Sequence, residues 1–267
     1  MGDDFSSQLF AKTNVAEVLR GELARPAWRR ETVAIGTSTD PYQPIEGRYR
    51  LTRRCLEALA AARTPANVTT KGTLVVRDVD VLQELGRVAG AGVNVSLVTL
   101  DEGVWRALEP GTPPPAHRLR ALRRLVGAGV PCGIALAPVL PGLTDSPAAL
   151  EALVRAAADH GAEWLWAGAI HLEPAVRDYF LNCLERHFPA AAARYERVFG
   201  AAGGPAAARY APKRYADVLQ SHIAELKTRY DLAERRRPAR VLESSVPGTP
   251  SAALPSVKVP RQMALPL

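Results

Sequence analysis

Cysteine is scarce in this chain of 267 residues, which holds only Cys55, Cys132 and Cys183. An odd number set far apart argues against a disulfide framework and offers no Cys-x-x-Cys metal spacing. Each reads as a small buried hydrophobe. No apolar run approaches the ~18–20 residues needed to cross a membrane. The acidic start, Met1-Gly2-Asp3-Asp4-Phe5, lacks the basic-then-apolar layout of a signal peptide. The expectation is a cytoplasmic protein with no membrane contact. Also absent are a Walker phosphate loop, a Gly-x-Gly-x-x-Gly turn after the first strand and a Gly-x-Ser-x-Gly elbow. His, Asp and Glu form no cluster at metal-ligand spacing.

What is present is apolar and basic. Hydrophobic residues make up 47% and aromatics only 6%, which fits an alanine- and leucine-rich α/β protein. The net charge of +7 is carried almost entirely by arginine and favours acidic partners, nucleic acid included. The arginines are spread along the chain, with two concentrations at Arg118–Arg124 and Arg235–Arg240. Solvated helix faces and a basic tail root account for most of them.

From Thr32 to His171, strand-like and helix-like segments alternate at the spacing of a βα unit. The strands expected are Thr32–Ile35, Ala66–Thr70, Val93–Thr99, Pro131–Leu136 and Glu163–Ile170, short and apolar as strands covered on both faces are. Helices are expected at Val15–Leu23 with Asn14 as cap, Tyr49–Arg63, Asp78–Ala89 with Asp78 as cap, Pro115–Gly127 and Pro147–His160. Without hairpin signals, this order implies a parallel sheet with right-handed crossovers. Three further helices, Glu173–His187, Ala190–Val198 and Lys213–Tyr230, are expected to pack around the barrel's end. One unit is expected over 1–230, and a basic, then Pro- and Ser-rich disordered tail over 231–267.

Strand carboxyl ends in a parallel barrel converge on one mouth. Here they gather Thr37, Ser38, Thr39 and Asp40, then Lys71, then Ser96, and last His171. The set offers a cation for a carboxylate or phosphate and hydroxyls for a ribose or an amino acid. Asp40, before a proline, serves equally as a turn former. Lys71 at a strand end needs a partner, and His171 reads equally as a satisfied core histidine.

Several stretches carry a resemblance. They are Phe5-Ser6-Ser7-Gln8-Leu9-Phe10-Ala11-Lys12-Thr13-Asn14, Gly36–Pro44 with its Thr-Asp-Pro-Tyr-Gln-Pro string, Thr69–Thr73, Ser96–Glu102, Ala137–Asp145 and Tyr210-Ala211-Pro212-Lys213. In this order the chain resembles the radical S-adenosylmethionine (SAM) superfamily, in the branch related to DNA-repair photolyases and spore photoproduct lyase. The resemblance implies a partial (β/α)6 TIM-type barrel of parallel strands. It also implies SAM as cofactor and a [4Fe–4S] cluster on a Cys-x-x-x-Cys-x-x-Cys loop after the first strand. Reductive cleavage of SAM to a 5′-deoxyadenosyl radical would follow, with an electron donor such as flavodoxin or ferredoxin.

By the same resemblance, Thr37, Ser38, Thr39, Lys71 and Ser96 match the SAM pocket, with Lys71 toward the SAM carboxylate. Asp40, Tyr42 and Gln43 follow the motif and fall on the substrate side, where His171 is placed by its position after the last strand. The cysteine loop itself is not in this sequence, and Met1 falls where the family's domain is already under way. The expectation is a barrel lacking its first strand and cluster loop. The alternative is a non-catalytic barrel that binds SAM or nucleic acid.

Overall fold

Apolar strand runs and amphipathic helices alternate in space as they do along the chain. The computed structural model describes residues 11–195, 199 and 209–232. Helix α1 (Val15–Leu23) leads to β1 (Val33–Ile35), then a short α2 (Glu46–Tyr49) and α3 (Leu51–Ala61). Strand β2 (Ala66–Thr70), a 3₁₀ helix (Thr73–Asp78) and α4 (Val79–Val88) follow. Next come β3 (Ala91–Ser96), α5 (Glu102–Leu108), α6 (Pro115–Gly127), β4 (Cys132–Val139), α7 (Pro147–Asp159) and β5 (Leu165–Ala169). Helices α8 (Pro174–His187), α9 (Pro189–Tyr195) and α10 (Lys213–Arg229) close the order.

The five strands form one parallel sheet in sequence order, the architecture of a partial TIM-type barrel. Strand β2 and helices α1 and α6 carry the bounds expected from sequence. Strand β3 begins and ends earlier than expected. Strand β4 runs on to Val139, with its register to β5 shifting between Leu136 and Val139, around Pro138. A proline cannot donate to a ladder and sits at such irregularities.

Neither expected cap forms: Asn14 and Asp78 make no side-chain capping bond. The Asp78 carboxylate is drawn instead into arginine pairs. Helix α10 packs beside β5 and α7, and Gln220 Nε2 donates to the Ala167 carbonyl at 2.9 Å. Helices α8 and α9 build a second, smaller core with Leu140, Ile170 and Leu172. The tail expected from residue 233 onward lies outside the described residues, as does part of the Ala190–Val198 helix.

Side chains alternate across a strand. Val68, Val93, Val95, Ile134, Leu136 and Leu165 form the main core with the covering helices. The opposite face is polar and small. Trp164, 1% exposed, lies across it, with its indole N–H donating to Asn94 Oδ1 at 2.9 Å. Asn94 Nδ2 in turn donates to Thr69 Oγ1 at 3.3 Å. Glycine at 133 makes room for the indole, since a Cβ there would stand 2.3 Å from it. Gly133→Ala is therefore expected to cost about 1–3 kcal/mol and to lower the melting temperature by about 3–10 °C. An unchanged thermal melt would mean that Trp164 does not rest on β4.

Candidate functional site

The carboxyl ends of β1, β2 and β3 are laced together before any ligand is considered. The chain leaves β1 through Gly36 at φ +90°, and a Cβ there would collide with the Thr69 carbonyl at 2.1 Å. Only glycine lets the turn press this closely against β2. Asp40 then ties the loop to its neighbour. Its Oδ1 accepts from Thr70 Oγ1 at 2.6 Å and from Tyr42 N at 2.8 Å, while Oδ2 accepts from Lys71 N at 2.6 Å. Thr70 Oγ1 accepts from Gly72 N at 2.8 Å, so the turn after β2 is fixed as well.

Behind the loop lies a buried charge network. Tyr42, 4% exposed, donates its hydroxyl to Asp78 Oδ2 at 3.1 Å. Arg77 clamps Asp78 at 2.7 and 2.8 Å and reaches Glu46 Oε1 at 2.9 Å. Arg53 joins Asp78 at 3.2 Å and Asp80 at 2.6 Å. Glu46 also accepts from Thr52 N at 3.0 Å, at the start of α3. Burial, reinforced by the Asp78 charge, holds the Tyr42 hydroxyl well above the usual tyrosine range. The hydrogen bond from Arg53 holds the Asp80 carboxyl down at about 2.

A second network stands beside β3. The Arg118 guanidinium, 1% exposed, donates to the Ser96 carbonyl at 3.0 Å, the Pro113 carbonyl at 2.7 Å and Thr112 Oγ1 at 2.6 Å. It also holds Glu109 Oε2 at 2.6 Å. The other oxygen of Glu109, a side chain 10% exposed, meets Lys71 Nζ at 3.1 Å. Lys71 itself is 36% exposed, with donors left for the mouth. Two cations against one anion leave one positive charge, enough to balance one ligand carboxylate.

Thr37, Ser38 and Thr39 are exposed at the end of β1, and Lys71 and Ser96 close β2 and β3 on the same rim. Asp40 and Tyr42 are braces: the first is consumed by β2, the second points at Asp78. Gln43 is half-buried in the same loop. His171 is exposed rather than in a core, with Nε2 2.9 Å from Glu173 Oε1 and its ring stacked on Tyr210 at 5.0 Å. That bond holds the Glu173 carboxyl below the usual range. Glu109, Arg118, Glu46 and Arg77 escaped the sequence reading. Arg118 left a signal, since it shares the apolar stripe of α6 with Pro115, Leu119, Leu122 and Leu125.

The family model for the radical SAM superfamily matches residues 12–153. The chain belongs to the radical SAM superfamily. An uncharacterized protein of Mycobacterium bovis is 43% identical over 238 residues, covering 89% of this chain and 68% of its own length. A counterpart in Mycobacterium tuberculosis matches equally. Among solved structures, spore photoproduct lyase complexed with dinucleoside spore photoproduct superposes with a TM-score of 0.56 at 18% identity. That match covers 74% of this chain and 58% of the lyase, so it shows a shared fold. The lyase with bound AdoMet and the same lesion gives a TM-score of 0.57 at 17% identity, again over 58% of its length.

The radical SAM assignment raises two groups whose fit this chain's residues decide. For SAM the donor set suits: an ammonium backed by the charge-neutral Glu109–Arg118 couple, beside exposed hydroxyls. For the iron–sulfur cluster it does not. Among the described residues no group of three or more His, Cys, Asp or Glu could hold a metal. Cys132 is fully buried at the amino end of β4, opposite the mouth. Cys55 sits on α3, with burial pushing its thiol up to about 11. Cys183 sits on α8 and donates to the Ala107 carbonyl at 3.4 Å.

Proposed function

We propose that this barrel binds SAM at the rim formed by β1, β2 and β3 and works as the SAM-positioning part of a radical SAM enzyme. The observation that supports this most is the pairing of Lys71 with the Glu109–Arg118 couple beside exposed Thr37, Ser38 and Thr39. Lys71 would hold the SAM carboxylate, and the hydroxyls would take the amino-acid or ribose oxygens. Ser96 adds a hydroxyl at the end of β3. When bound, SAM supplies the 5′-deoxyadenosyl group on which the superfamily's radical chemistry rests. The chain's residues bind and orient it, while Asp40 and the Tyr42–Asp78 bond hold the rim in place.

The cysteines of this chain do not suit cluster ligation, and no step is assigned to a cluster here. Joined to a Cys-x-x-x-Cys-x-x-Cys loop and served by an electron donor such as flavodoxin or ferredoxin, the barrel would act as an enzyme in the cytoplasm. Nucleic acid is the substrate class we assign to that form. It rests on the +7 charge and on kinship with a fold whose solved relative carries a dinucleoside lesion. Without such a loop, the misfit of Cys55, Cys132 and Cys183 favours a SAM-binding barrel that does no radical chemistry. Peptide mapping and intact-mass measurement of the protein from its own cells separate the two. A heavier product with three added cysteines supports the enzyme, and a mass that starts at Met1 supports the binding barrel.

The SAM site has its own test. Calorimetric titration of the full chain with SAM should show binding, weakened about tenfold in Lys71→Ala, the loss of one charge-assisted hydrogen bond. No binding to the wild type would overturn the reading, and equal affinity in the variant would remove Lys71 from the site.

A further inference from the structure

The run Arg118–Arg124 is sorted by the helical period. Arg118 turns inward to the rim, and Arg123 donates to the Asp159 carbonyl at 3.1 Å. Arg120 and Arg124, four residues apart, join His117 on another face of α6. There, with Thr73 and Val76 of the 3₁₀ helix and with Ala121, they line a cleft of about 180 Å³. Among the described residues, the side chains of Arg120, Arg124 and His117 engage in no hydrogen bond or ion pair. This sets them apart from Arg53, Arg77 and Arg118, each committed to a carboxylate.

Two features make an idle solvated face a poor account of this cleft. Helix α6, Pro-Ala-His-Arg-Leu-Arg-Ala-Leu-Arg-Arg-Leu-Val-Gly, carries four arginines and no acid. Like charges four apart repel and cost the helix stability. Arg120 stands in the middle of the helix, where the macrodipole gives a cation no help. The cations are also gathered in a concavity rather than spread over a convex surface. Planar guanidinium forks about 6 Å apart along a helix axis match the bidentate geometry that oxyanions take. Thr73 lines the same cleft from the 3₁₀ helix and brings a neutral hydroxyl.

We propose that this cleft is an oxyanion site that takes phosphate groups, separate from the strand-end rim. Arg120 and Arg124 supply the charge, and Thr73 and His117 flank it. The proposal does not rest on the SAM reading. The phosphates could belong to a free oligophosphate or to the phosphodiester backbone of a nucleic acid strand, and the test tells these sources apart.

The full chain is titrated with tripolyphosphate by calorimetry, and with a labelled single-stranded oligodeoxynucleotide by anisotropy at several salt concentrations. Three forms are compared: wild type, Arg120→Ala/Arg124→Ala, and Arg87→Ala/Arg106→Ala. The last removes equal charge from two exposed pairs on α4 and α5. The cleft variant is expected to weaken phosphate binding about tenfold and to lower the salt slope for the strand by about 1.4. The control variant should stay near wild type. Losses confined to tripolyphosphate support a free phosphate, and losses that include the strand support a backbone. Equal losses in both variants would reduce the cleft to net charge and overturn the proposal. So would unchanged binding in the cleft variant, or a wild type that binds neither ligand.

Discussion

Arg118→Met is expected to destabilise the protein by about 3–5 kcal/mol, because it breaks a buried pair from one side. Methionine fills much of the volume but donates nothing. The carbonyls of Ser96 and Pro113 and the hydroxyl of Thr112 each lose a donor, and among the described residues Glu109 keeps the Lys71 ion pair alone. Denaturant unfolding monitored by circular dichroism reads the loss directly. The pairwise part can be isolated by adding Glu109→Gln. If the penalty comes mainly from an uncompensated carboxylate, the double variant should recover about 1 kcal/mol or more relative to additivity. Arg118→Lys should not rescue, since one ammonium cannot reach four acceptors that a planar fork serves together. A loss under about 1 kcal/mol in Arg118→Met would show that the Ser96 end of β3 is held by other means.

Arg118 also shows where sequence reading reaches its limit. The fold was legible because it rests on periodicity: β2, α1 and α6 have the expected bounds, and the sheet is parallel and in order. Periodicity also places Arg118 on the buried stripe of α6. Without the Glu109 partner, nine residues away, the same arginine reads as part of a basic run. The short α2, α5 and the 3₁₀ helix went unseen because one or two turns leave little pattern to detect. Asp78 fits the rule for an N-cap, but a buried carboxylate gains more from the Arg77 guanidinium than from a helix amide. Strand-end residues could be gathered on one rim from topology alone. Which of them face a ligand depends on tertiary bonds, and those turn Asp40 and Tyr42 into braces.

Asp40 tests that division most sharply. Its carboxylate links the β1 loop, the Thr70 hydroxyl, the Lys71 amide and the Tyr42 amide, with three donors at 2.6 to 2.8 Å. Asp40→Ala should cost about 3–6 kcal/mol, since hydrogen bonds to a charged acceptor are worth roughly 1.5–3 kcal/mol each and one of the three donors can turn to water. Asp40→Asn should fall between. The amide keeps one oxygen for Thr70 and Tyr42 but sets its own N–H₂ against the Lys71 amide, donor against donor. Two readouts separate a brace from a ligand contact. A brace loses unfolding free energy first, and SAM affinity falls in step as the rim loosens. A ligand contact would lose affinity while unfolding shifts by less than about 0.5 kcal/mol, as a surface substitution does. Thr70→Val calibrates the first outcome, because it removes the partner hydroxyl from the same lattice while leaving the carboxylate free to meet a ligand.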